Sequence, residues 1–103
     1  MRNVFGSFTD IDAVEASDPV DVSNLEDAYV AVTGTFVATL DVEFTMDDLA
    51  GTPSWHVHPT LTGKTVPFNG TIGFPVRAIR LNATAHTSGT AEGSYSGKDP
   101  DQD

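Results

Sequence analysis

Apolar and polar residues alternate along much of this chain with a period of two, the pattern of strands that bury one face and wet the other. The clearest run covers residues 76–85, where Ile79, Leu81, Ala83 and Ala85 share one side while Arg80, Asn82, Thr84 and His86 share the other. It leads through a Ser88-Gly89 turn into a further strand over residues 90–95, and the two read as a hairpin that closes the domain. Phe36, Ala38, Leu40, Val42 and Phe44 form a second apolar face, opposed by Val37, Thr39, Asp41 and Glu43, in what reads as the longest strand. Phe36, Leu40, Phe44, Ile79 and Leu81 are therefore the expected shared core. Shorter strands are predicted over residues 20–22 and 29–33 around a turn at Ser23-Asn24, and over residues 54–57, where Trp55 is expected to cover one edge of the core. Residues 65–68 and 71–74 flank Asn69-Gly70, the dipeptide most typical of a two-residue hairpin turn.

No long stretch carries a helical period, and turn signals recur between short strands. The fold class that follows is all-β, an antiparallel β-sandwich or small barrel of about seven strands over residues 20–97. Residues 1–19 scatter Val4, Phe5, Phe8, Ile11 and Val14 among Asp and Ser without a clean period. They read as an N-terminal arm, with a weak first strand or a short helix over residues 12–16 as the alternative. Residues 98–103, Lys-Asp-Pro-Asp-Gln-Asp, read as a flexible, disordered acidic tail.

Charge narrows the classes of partner. Fifteen acidic against five basic residues give a formal net charge of −10, and eleven of the fifteen are Asp, a residue that favours turns and strand ends. Such a chain repels nucleic acid and anionic membrane and stays soluble at high concentration. The 103 residues suit one domain with a modest core. The absence of cysteine removes disulfides, thiolate metal sites and a Cys nucleophile. No segment approaches the roughly 20 apolar residues that span a bilayer, the first residues lack a secretory signal's apolar stretch, and folding in a cytoplasm is expected.

Candidate chemistry is sparse. His56 and His58, two apart on a strand, face the same way, and His86 or Asp47 would complete a metal set. The carboxylate that follows such a pair in jelly-roll metalloenzymes is missing, since the next residues are Pro59-Thr60-Leu61-Thr62-Gly63. No metal or other cofactor is therefore expected, and the three histidines read as dispensable to the fold. Asp47-Asp48 lacks the spacing of a calcium loop and reads as a solvated turn. Arg77 and Arg80 are expected to pair with Asp41 and Glu43 or to meet an acidic partner. No nucleophile elbow, paired carboxylate site or phosphate loop is present, which argues against an enzyme.

The order Gly34-Thr35-Phe36-Val37-Ala38-Thr39-Leu40, an acidic loop, Trp55, the strand over residues 76–85 and then His86-Thr87-Ser88-Gly89-Thr90 resembles small β-sandwich virion proteins of tailed bacteriophages. The likeness spans roughly residues 30–96. It departs from the commoner form at Asp47-Asp48-Leu49-Ala50-Gly51, where an Asp-Gly-Gly turn is usual, and at Asn69-Gly70. The resemblance implies a capsid decoration or cement protein that binds the major capsid protein, with a head–tail connector or tail component as the neighbouring role. On that reading the protein is a virion component and a homo-oligomer, a trimer at a symmetric shell position, with Val4, Phe5 and Phe8 of the arm as partner-binding residues. The rival class is a carbohydrate-binding module in which Trp55, Tyr95 and His56 form a stacking platform.

Overall fold

The computed structural model describes residues 2–100. The period-two alternation becomes eight strands: β1 (Arg2–Ser7), β2 (Val20–Asp21), β3 (Glu26–Thr33), β4 (Phe36–Thr45), β5 (His56–Val57), β6 (Phe68–Thr71), β7 (Ala78–Gly89) and β8 (Glu92–Asp99). They form two four-stranded sheets, one ordered β1-β8-β3-β6 and the other β2-β7-β4-β5, antiparallel throughout. The chain is an all-β sandwich. Its inner layer holds Ala28, Val30 and Val32 of β3, Ala38, Leu40 and Val42 of β4, and Ile79, Leu81 and Ala83 of β7.

Strands β4 and β7 are the longest and pair over most of their length, with register shifts between Val37 and Ala38 and between Thr39 and Leu40. Leu40, Ile79 and Leu81 are fully buried, whereas Phe36 and Phe44 are half-buried at the two ends of β4. The expected face is thus correct, and its centre is aliphatic. Ala85 departs from the pattern: it lies between the two shifts, opposite Thr39, and is exposed.

Two turns differ from their sequence reading. Asn69-Gly70 is no hairpin turn. It lies inside β6, paired with Ala31 and Val30, and Gly70 has no left-handed φ. A Cβ there would stand 2.7 Å from the end of the Leu61 side chain, so the glycine gives Leu61 its room. Ser88-Gly89 does turn the chain, but β7 and β8 belong to opposite sheets. Gly89 (φ 83°) and Gly34 (φ 108°) occupy two corners packed back to back, joined by the Thr90 amide donating to the Thr35 carbonyl at 3.2 Å. A Cβ on either glycine would collide with the other corner's backbone.

The N-terminal arm is a strand. Residues 2–7 pair with β8 from Arg2↔Asp99 to Ser7↔Ser94, and the Phe8 amide donates to the Gly93 carbonyl at 2.9 Å. Phe8 is only 4% exposed, packed edge-on against Tyr95 at 5.6 Å between ring centroids. Val4 is half-buried, and Phe5 is 76% exposed. The alternation was hidden because Gly6 stands at an inward position, between Val4 and Phe8. Its missing side chain is replaced by Tyr95, whose ring lies where a Gly6 Cβ would sit.

Beyond β1 the chain crosses to the second sheet. Ile11 is fully buried and bridges Ala91, and the backbone of residues 15–17 hydrogen-bonds to Leu81 and Ala83 along the edge of β7. The buried Ser17 hydroxyl accepts from the Leu81 amide at 2.9 Å. The expected boundary at residue 19 therefore does not separate arm from domain. At the other end Lys98 and Asp99 belong to β8 and not to the expected tail; residues 101–103, the rest of that tail after Pro100, lie outside the described residues.

Replacing Phe8 by Ala removes a buried ring between the sheets and is expected to cost about 3–5 kcal/mol in urea unfolding. The neighbouring Phe5→Ala, at a solvent-facing position, is expected to change stability by no more than about 0.5 kcal/mol.

Candidate interaction surface

The outer faces of the two sheets differ in charge. On the β2-β7-β4-β5 sheet the outward positions of β4 include Asp41 and Glu43, yet both are buried. Asp41 accepts from the Thr62 hydroxyl at 2.7 Å and the Gly63 amide at 2.8 Å, pinning the segment over residues 58–64 along β4. Glu43 takes the Arg80 Nε at 2.7 Å and the Asn82 amide group at 3.4 Å. The Arg80 guanidinium carbon lies 4.3 Å from the centre of the Trp55 ring, a cation–π contact. Trp55 therefore covers this polar cluster on the outer face and not the edge of the core. Arg77 does not reach either acid; its Nε donates to the Met46 carbonyl at 3.4 Å.

The histidines go separate ways. His56 is exposed beside Phe44, at 5.5 Å between ring centroids. His58 is buried and stacked on Phe74. Its Nδ1 accepts the Thr60 and Leu61 amides at 3.2 Å each, which leaves Nε2 to donate to the Ile72 carbonyl at 2.8 Å. Both ring nitrogens are committed to holding the connection between β5 and β6, so His58 is a structural residue and not a dispensable one. The His86 Nε2 lies 2.8 Å from the Gly89 carbonyl at the far corner. Asp47 accepts the Ser54 amide at 2.8 Å, and Asp48 accepts the Ala50 amide at 2.9 Å within its own turn. Among the described residues no three metal-ligating side chains converge.

The stacking platform of Trp55, Tyr95 and His56 is not assembled. Tyr95 lies on the inner side of β8 against Phe8, whereas Trp55 packs on Arg80 of β7 in the opposite sheet, which occupies one side of its ring. A cavity of about 480 Å³ opens where the turn before β3 parts from the loop over residues 73–76. Val22, Ala28 and Val76 line it together with Glu26 and Asp27. Beside it the Asp21 carboxylate accepts both the hydroxyl and the amide of Ser23, bonds that, with Arg77 nearby and against a smaller desolvation effect, hold it below its ordinary value.

The β1-β8-β3-β6 sheet presents a different surface. Its central outward residues are Asn3, Phe5 and Ser7 on β1, Ser94 and Ser96 on β8, Tyr29, Ala31 and Thr33 on β3, and Asn69 and Thr71 on β6, and none of these carries a charge. Glu92 and Lys98 share this face at the two ends of β8, opposite Thr33 and Asn3. Strand register sets Phe5, Ser96, Tyr29 and Thr71 in one row across all four strands. The Tyr29 hydroxyl donates to the Asn69 side-chain oxygen at 2.6 Å, fixing the ring upon its neighbouring strand. Charged groups stand at the margins, where Lys98 meets Asp27 at 3.7 Å. Of the three expected partner-binding residues, only Phe5 belongs to this surface, since Phe8 points into the core and Val4 inward. Tyr29 was missed because strand alternation alone does not tell an outward aromatic from a core one.

No family model matches this sequence, and no curated protein matches it. Its fold is similar to that of the SPBc2 prophage-derived protein YomS, with a TM-score of 0.59 at 9% identity over 94% of this chain and 94% of that chain. Looser likenesses reach a protein of Bacillus endospore appendages that form disulfide-linked pili (TM-score 0.41, 16% identity, 91% of this chain and 85% of that chain) and a chain of infectious bursal disease virus strain Gx (TM-score 0.31, 17% identity, 91% of this chain and 26% of that chain). The last two overlap too loosely to bear on function.

His58→Ala should destabilise the fold by at least about 2 kcal/mol, because it strands the Ile72 carbonyl and two amides in a closed site. His56→Ala and His86→Ala are expected to shift the thermal midpoint by far less, as calorimetry of the three variants will show.

Proposed function

We propose that this chain is a structural protein of a tailed-bacteriophage virion, a capsid decoration or cement protein that binds the major capsid protein shell and works by binding and not by catalysis. The observation that carries the reading is the open outer face of the β1-β8-β3-β6 sheet, uncharged at its central positions in a chain whose formal net charge is −10. A partner meeting that face buries hydroxyls, amides and two aromatic rings without having to strip water from a carboxylate, which costs far more. Phe5 and Tyr29 supply rigid aromatic anchors of the type that dominates interface energies. The likeness in fold to a prophage-derived protein supports a phage setting, and the sequence resemblance to small virion proteins supports the decoration role.

The opposite sheet suits the outward side of a bound subunit. Its acids are tied down by Arg80, Thr62 and Gly63, and the remaining acidic groups repel nucleic acid, membrane and neighbouring particles. Self-association belongs to the same reading, because a shell offers many equivalent positions.

Co-sedimentation with shells that lack the protein tests the proposal. Wild-type chain is expected to pellet with them. Ser96→Glu, which sets a carboxylate between Phe5 and Tyr29, should weaken attachment at least about tenfold, or by about 1.4 kcal/mol, while Thr87→Glu on the distant corner should not. Wild-type chain that stays in solution would refute the decoration role, and equal attachment by Ser96→Glu would refute the face.

A further inference from the structure

Strand β1 is an edge whose outward hydrogen-bonding groups are free. The Phe8 amide donates to the Gly93 carbonyl, so in the antiparallel ladder that runs back from it Gly6, Val4 and Arg2 direct their backbone groups at β8. By the same alternation, the N–H and C=O of Asn3, Phe5 and Ser7 point away from the sheet, and among the described residues no strand pairs with them.

This edge differs from the other three. Strands β2 and β5 have two residues each and stand beside Pro19 and Pro59, and β6 has four residues behind Pro67. Short strands and flanking prolines are the usual guards against edge pairing. Strand β1 has six residues, no proline, no lysine and no register shift. It also lacks carboxylates and carries Arg2, in a chain with three acids for each base. Two copies approaching at β1 thus avoid the repulsion that their net charge imposes elsewhere.

We propose that two copies of this chain pair antiparallel through β1 about a two-fold axis at Phe5, joining two four-stranded sheets into one of eight strands. The register follows from geometry. Residues directly opposite in a sheet must point to the same face, so a symmetric pairing sets Asn3 against Ser7, Val4 against Gly6 and Phe5 against its own copy. Shifting it by two residues brings Val4 opposite Val4 and sets Ser7 opposite residue 1, outside β1. The Phe5 register uses all three outward residues on each strand, with Phe5 as a hydrogen-bonded pair. It also brings together the two rings that are most exposed in the separate chains. The pairing is two-fold and replaces the trimer expected from the sequence, whose argument required a free arm. It does not depend on the virion role.

Sedimentation equilibrium of the free protein tests it without shells. Wild-type chain is expected to show a monomer–dimer equilibrium below about 1 mM, in the range of weak specific association. Ser7→Pro removes an outward amide that β8 does not use, a substitution an edge strand tolerates, and should weaken the dimer at least about tenfold. Phe5→Lys, a solvent-facing change that places two ammonium groups on the axis, should do the same and keeps the test intact if Ser7→Pro fails to fold. Phe5→Cys, the sole cysteine in its chain, should oxidise to a covalent dimer, since the Cα separation of a hydrogen-bonded pair, about 5.5 Å, falls in the disulfide range. A wild-type monomer at all concentrations, a dimer undiminished by the folded variants, or Phe5→Cys that remains monomeric under oxidation would each overturn the proposal.

Discussion

The closure of Phe8 and Leu81 over Gly93 is the contact on which the arrangement of the N-terminal third depends. Gly93 sits on the inner side of β8, and a Cβ there would collide with Leu81 from the opposite sheet and stand 3.0 Å from Phe8. The missing side chain leaves room for both groups. Phe8 fills it from the end of β1, and this fixes β1 beside β8 in the register that turns Phe5 outward. Gly97 repeats the device farther along β8, where a Cβ would press on Leu25 at 2.9 Å. A strand with glycine at two of its inward positions contributes little hydrophobic area of its own. It works by admitting side chains from three other elements.

The second sheet uses an opposite solution. From Leu40 onward both faces of β4 are closed, the inner by apolar residues and the outer by segments that fold back over Asp41, Glu43 and Thr45. Buried carboxylates are tolerable only when their oxygens are satisfied. Here each acid also serves the backbone or the neighbouring strand: Asp41 holds the bend at Gly63, and Glu43 joins β4 to Arg80 on β7. The irregular connection from β4 to β6 is thus anchored by polar contacts and by His58, with Leu61 as its apolar plug against Gly70. This division leaves one sheet with the acids of its central strand enclosed and the other with its charges at the strand ends.

How much of this was legible follows from what each signal encodes. The inward faces of β4 and β7 were readable because their alternation is long and unbroken through Leu40, Val42, Ile79 and Leu81. The pairing of Arg80 with Glu43 followed from two strands presumed adjacent. The first strand was legible only as the alternative to an arm, because Gly6 erased one apolar position and Ile11 belongs to a separate bridge. Asn69-Gly70 misled for a related reason. Its glycine answers a contact with Leu61 made across the sandwich, and sequence shows a small residue without showing which neighbour demands it. The role of His58 was hidden likewise, since its partners lie in a loop and at Ile72, 14 positions away. Of the expected partner-binding residues, Phe5 alone remained outside, because the parity of β1 sends Val4 and Phe8 inward.

Charge and strand parity then act together on the surface. In a chain with fifteen acids, a random sheet face would be expected to carry several. The β1-β8-β3-β6 sheet has none among its central outward positions, and its acids are displaced to strand ends and turns such as Glu26, Asp27 and Glu92. No requirement of folding explains this, since outward positions of an antiparallel sheet accept charged residues readily. The absence costs the protein solubility, while Phe5 and Tyr29 add apolar area at the same place. A surface that gives up charge and adds aromatic rings in one row across four strands, next to an unguarded edge, has the composition of an interface and not of a solvated wall.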